Sequence, residues 1–238
     1  MNACERISRN RGNEVRLRYL GHSCVEILGR HHILIDPDFT RPPEGGVEHI
    51  CITHAHSDHI GRVMDVPKAW VVASANVCEA ALRLGVSHHR LISAEPGWKV
   101  ANVEVLQGFS RVNDPIYSIM YMLFRRRLPE AGGSPLSFLI HDEVSVLHIG
   151  DAHDAPLPVS PDVLCLPWRS TPFWADRYKA RLIQLAEQFG SPYVLPVHHD
   201  MPPNDADPEE LRGRLEATVL DGEGWHVFEG NRLSGRDN

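Results

Sequence analysis

Lysine is nearly missing from this chain. Of its 24 basic residues only Lys68, Lys99 and Lys179 are lysine, against 31 acidic residues, for a net charge of −7. A nucleic-acid binder normally carries a basic face, so nucleic acid is not an expected partner. Long apolar runs are absent too. No stretch approaches a membrane span, and Met1-Asn2-Ala3-Cys4-Glu5-Arg6 lacks the apolar centre of a signal peptide. No membrane partner is expected, and the cytoplasm is the expected compartment. The five cysteines (Cys4, Cys24, Cys51, Cys78 and Cys165) are widely spaced, with no pair at disulfide-framework or zinc-ribbon spacing. They read as free, buried thiols in a reducing compartment. Gly-x-Ser-x-Gly is missing as well, and no cysteine sits in a catalytic setting, which argues against a side-chain nucleophile.

What is present suits one core. A chain of 238 residues that is 42% hydrophobic can bury a two-sheet α/β sandwich without a domain boundary. We expect a single domain over 1–238, with about 14 N-terminal and about 9 C-terminal residues peripheral, the latter frayed. Alternation predicts strands over Val15–Leu20, Cys24–Leu28, His32–Ile35, His49–Ile52 and Trp70–Ala73, then Val100–Leu106, Ser137–Ile140, Val144–Ile149 and Val163–Leu166. Helical spacing predicts helices over Asn76–Leu84, Asp176–Phe189 and Pro208–Leu220; Gly190 and Pro192 stop the second, and proline opens the third.

The chemistry concentrates in Thr53-His54-Ala55-His56-Ser57-Asp58-His59, directly after the apolar run His49-Ile50-Cys51-Ile52. A strand that ends in a tight loop can aim His54 and His56 at one ion and Asp58 and His59 at a second. Imidazoles with a carboxylate suit Zn²⁺, Fe or Mn²⁺ better than the oxygen-seeking Ca²⁺ or Mg²⁺. A solvated His-rich loop would need neither the strand nor the spacing.

His-x-His-x-Asp-His after a strand resembles the metallo-β-lactamase superfamily. Leu20-Gly21-His22-Ser23 with Ile33-Leu34-Ile35-Asp36-Pro37 is similar to the branch containing ascorbate-6-phosphate lactonases and related metal-dependent hydrolases. The resemblance implies a four-layer αββα sandwich. It implies that Asp36 holds a ligand histidine from the second shell. It also implies that Asp151, in Val144–Asp151, bridges the metals, and that His198, ending Tyr193–His198, is the last ligand. The implied metal set is His54, His56, Asp58, His59, Asp151 and His198, with Asp58 and Asp151 catalytic. One piece departs from the pattern: where the family has another histidine, Val103–Ser110 places Ser110. A hydroxyl is a poor ligand for these ions, so the first site is expected to be weak unless His22 or His153 substitutes.

Function follows from such a site: a divalent ion, most simply zinc and one or two per chain, acidifies bound water, and the hydroxide attacks a small ester, lactone, amide or phosphoester. The ligand gap leaves two alternatives, a mononuclear iron oxidoreductase and a catalytically silent metal-binding protein. The expected partner is a small-molecule substrate, with homo-oligomers also possible. Two further segments bear weighing. Tyr117–Arg127 reads as a packing segment with a basic end, or as a lid with an anion clamp. Trp168, Arg169 and Trp174, in Leu166–Trp174, either line a substrate pocket or cap the sandwich.

Overall fold

The structure is a computed structural model that describes residues 14–109, 134–152, 158–171, 175–220 and 224–237. Ser110, His153, Trp174 and the Tyr117–Arg127 segment therefore lie outside the described residues.

Strands β1 (Glu14–Gly21), β2 (Cys24–Leu28), β3 (His32–Ile35), β4 (His49–Cys51), β5 (Trp70–Ala73) and β6 (Leu91–Ser93) form most of one sheet. They are separated by a short α1 (Ser57–Ile60) and by α2 (Ala75–Arg83). A second sheet takes β7 (Lys99–Val100), β8 (Val103–Gln107), β9 (Leu136–Ile140), β10 (Val146–His148) and β11 (Val163–Pro167). After α3 (Ala175–Phe189), β12 (Tyr193–Val197) and β13 (Thr218–Val219) complete it. The chain then returns to the first sheet through β14 (Trp225–Glu229) and β15 (Arg232–Asp237). The strand orders are β15-β14-β1-β2-β3-β4-β5-β6 and β13-β12-β11-β10-β9-β8-β7.

Alternation along the strands explains the layering. Val15, Leu17, Val25, Ile27, Ile33 and Ile35 point inward and meet Val105, Phe138, Ile140, Val146 and Cys165 of the other sheet. Opposite-facing residues such as Leu34, Ile50 and Val71 pack under Val77, Cys78 and Ala81 of α2. On the far side, Leu147, Leu164 and Leu166 receive Leu182, Leu185 and Phe189 of α3. The parallel strands β3–β5 and β10–β12 are buried on both faces and read as unbroken apolar runs. Helix, sheet, sheet and helix are the four expected layers.

Three expectations are corrected. The helix over Pro208–Leu220 is only a 3-10 turn, Pro208–Leu211. The Asp207 side chain accepts from the Glu209 N–H at 2.9 Å to start it, Arg212 leaves helical geometry, and Gly213 has φ +77°. The freed chain pairs Thr218–Val219 alongside β12. The Val100–Leu106 strand is a hairpin, broken where Ala101 takes φ +52°. The tail expected to fray is edge strand β15, exposed but paired along β14. Among the described residues no helix is long and apolar enough to cross a membrane.

Candidate metal centre

The strands β3, β4, β10 and β12 all end at one edge of the sandwich, and each delivers a polar residue there. Asp36 follows β3 and is fully buried, with φ +50°. Its Oδ1 accepts the Thr53 N–H at 2.7 Å, and its Oδ2 accepts the Thr53 hydroxyl at 2.7 Å and the His59 Nδ1–H at 2.8 Å. Burial alone would raise the carboxyl, but His59, through its charge and its hydrogen bond, holds it below its usual range. Because Nδ1 of His59 donates to Asp36, its Nε2 is turned toward the other ligand atoms. Gly150, at φ +58°, ends the strand that carries Asp151. A Cβ there would meet Thr53 Oγ1 at 3.0 Å, so a side chain would crowd the approach of the two loops.

Two groups of ligand atoms result, each with all members within 4.8 Å of one another: His54, His56 and Asp151; and Asp58, His59 and His198. In the first, His54 Nε2 lies 2.9 Å from His56 Nδ1 and 3.8 Å from Asp151 Oδ2. In the second, His198 Nε2 is 3.0 Å from Asp58 Oδ2, and His59 Nε2 is 3.8 Å from that oxygen. Asp151 joins the groups: its Oδ1 lies 3.4 Å from His59 Nε2 and 3.6 Å from His198 Nε2, while Oδ2 faces His54. One carboxylate thus turns one oxygen to each group.

The electrostatics suit a cation. Burial and the neighbouring His59 push His54 down to about 3, so its imidazole stays neutral and free to ligate. Burial works against a charge on His59, yet Asp36 and Asp151 raise it to about 10. Burial would raise Asp151, but Arg169, His198 and His59 hold it well below the carboxylate range. Asp58 is also held low, chiefly by the His198 hydrogen bond working against burial.

Other residues chosen from the sequence land differently. His22 belongs to neither group; its Nδ1 pairs with Asp38 Oδ2 at 2.8 Å, and its carbonyl accepts the His198 N–H at 2.5 Å. His199 stacks on Tyr19 with ring centroids 4.8 Å apart, leaving His198 in the site. Trp168 is a core residue, fully buried with its indole N–H donating to Asp207 O at 2.8 Å. Arg169, beside it, enters the site. Sequence reasoning passed over Asp200, which accepts the His22 N–H at 2.9 Å and sits 2.7 Å from the Tyr19 hydroxyl. It also passed over His148, buried between Ser23 O and the Gly150 N–H. Nothing in their spacing marks either. A further His31, Glu48 and His49 group stands at the opposite end of β4, in a more exposed setting.

A beta-lactamase superfamily domain matches residues 16–198. The chain belongs to the metallo-β-lactamase superfamily. Among its relatives, a UPF0173 metal-dependent hydrolase of Methanoculleus marisnigri is 30% identical over 222 residues, covering 86% of this chain and 90% of that protein. Another, of Thermococcus onnurineus, is 28% identical over 221 residues, covering 83% and 91%. Igni18, a metallo hydrolase of Ignicoccus hospitalis, superposes with a TM-score of 0.66 at 22% identity, over 91% of this chain and 99% of that one. The protein is a metal-dependent hydrolase of the superfamily, and the two His/Asp groups are its candidate metal-binding groups.

Proposed function

We propose that this hydrolase cleaves a small ester, lactone, amide or phosphoester with water acidified at the His54–His56–Asp151 and Asp58–His59–His198 groups. The supporting observation is the geometry of Asp151, one oxygen toward each group. Bound there, a divalent ion supplies a water of near-neutral pKa and a Lewis acid for the charge developing on the substrate. The donors fit a borderline ion, zinc first and manganese or iron next: imidazole nitrogens and carboxylates converge, and His54 is kept deprotonated.

The chain's own residues do the rest. Asp36 fixes the ring of His59 through Nδ1, so its Nε2 is presented in one orientation. Asp58 and His198 hold one another at 3.0 Å. Asp58, partly exposed, would complete the second group with His59 and His198, and Asp151 sets the separation of the two groups. We further propose a small-molecule substrate, a cytoplasmic location and a single domain for the chain.

Replacing Asp151 with alanine tests the reading. Metal bound per purified chain should fall at both groups and hydrolysis across an ester, lactone and phosphoester panel should vanish. Full metal content in Asp151→Ala would overturn it.

A further inference from the structure

We propose that Arg169 is the substrate receptor of this site and selects molecules carrying an oxoanion, a phosphate or a carboxylate, next to the bond that is cleaved. The inference rests on the hydrolase reading and adds a substrate class to it.

Arg169 follows β11, and both its neighbours are pinned. The Trp168 N–H donates to Val197 O and the Ser170 N–H to Asn204 O, each at 2.8 Å, and the Trp168 side chain is locked in the core. The arginine is therefore directed into the metal centre by the backbone on either side. Its Nη1 lies 3.0 Å from Asp151 Oδ2 and 3.3 Å from His198 Nε2. Its Nε donates to the Tyr178 hydroxyl at 3.3 Å, and the guanidinium carbon stands 6.0 Å from the centroid of that ring. The side chain is 22% exposed.

A guanidinium has five N–H donors. Asp151 takes up Nη1 and Tyr178 takes up Nε, and among the described residues no acceptor meets Nη2. Holding one carboxylate in place needs only a point charge, which a lysine would supply. A planar fork with an open edge is the geometry that binds a carboxylate or phosphate through two parallel hydrogen bonds. Charge is compatible with this. Asp58 and Asp151 belong to the two groups and the buried Asp36 adjoins them, so one divalent ion together with Arg169 balances these three carboxylates. A second ion would leave a surplus in a largely buried site, which an anionic substrate answers and a neutral one does not.

Inorganic phosphate, titrated calorimetrically into zinc-loaded full-length protein, is the probe, with metal per chain measured on every sample. Arg169→Gln should weaken phosphate binding about tenfold or more and Arg169→Lys by less, both with wild-type metal content. In parallel, the kcat/KM preference for a carboxylate-bearing 4-nitrophenyl ester over its neutral methyl ester should fall about tenfold in Arg169→Gln, mainly through KM. Phosphate affinity unchanged within twofold in Arg169→Gln would overturn the inference. Equal loss of metal from both variants would also overturn it, since Arg169 would then only be supporting Asp151. Absence of turnover with every ester, alongside arginine-dependent phosphate binding, would strike the hydrolysis reading and leave the receptor standing.

Discussion

Replacing Asp36 with asparagine changes one atom far from any substrate, and the structure says it should disable half of the metal centre. The wild-type carboxylate is wholly buried and accepts three hydrogen bonds, at 2.7, 2.7 and 2.8 Å. In the amide, one of the two oxygens becomes an N–H₂ donor. If that donor replaces Oδ2, it confronts two groups that both donate, the Thr53 hydroxyl and His59 Nδ1–H. His59 can relieve the conflict only by moving its proton to Nε2, the nitrogen aimed at Asp58, Asp151 and His198, and a protonated Nε2 cannot ligate. Losing an orienting partner of this kind typically costs about 10–100-fold in metal affinity. Breaking a buried, charge-assisted pair costs about 3–5 kcal/mol in stability. For a chain of this size that is a fall of roughly 6–20 °C in Tm, at about 2–4 °C per kcal/mol. Chelator-competition titration of zinc, with thermal unfolding of metal-free protein, measures both quantities. Wild-type affinity and Tm in Asp36→Asn would refute the account of how His59 is aimed.

The register at the end of β12 predicts that His198→Ala loses metal and activity. His199→Ala, whose ring packs on Tyr19 outside the two groups, should retain its metal; equal losses would reverse that ordering. Cys24, Cys51, Cys78 and Cys165 are buried and their thiols are pushed up by burial, so none forms thiolate at neutral pH. A Cys4→Ser variant should leave a disulfide reagent unreacted until denaturant is added, and rapid native labelling would contradict the burial. At Ser110, where the family has histidine, we expect wild-type protein to hold one tight ion, and Ser110→His to move the stoichiometry toward two. Two tight ions at the His54/His56 and Asp58/His59 groups of the unmodified chain would show the first group complete without it.

Much of this protein is decided locally. The candidate metal cluster at 54–59 was legible because its histidines and aspartate are neighbours and the preceding strand announces itself by an apolar run. The paired strands β2, β3 and β5 and the helix α3 were legible because two-residue and 3.6-residue periods leave direct traces in the sequence. Asp36, Asp151 and His198 were found by resemblance, each being the residue that follows or nearly follows a strand. Tertiary structure decided what no period records. Proline at 208 looked like a helix start, but Gly213 and the open edge of β12 took the chain into a strand instead. The tail gained order only because β14 offered it a partner. Arg169 shows the division most clearly: by sequence alone the adjacent residues Trp168 and Arg169 are equally suited to a pocket. Backbone hydrogen bonds to Val197 and Asn204, more than 25 positions away in each case, sent the tryptophan into the core and the arginine to the metal centre. Contacts between residues so far apart leave no periodic trace in a single chain, since what fixes them is the packing of the two sheets and not the order of the amino acids around them.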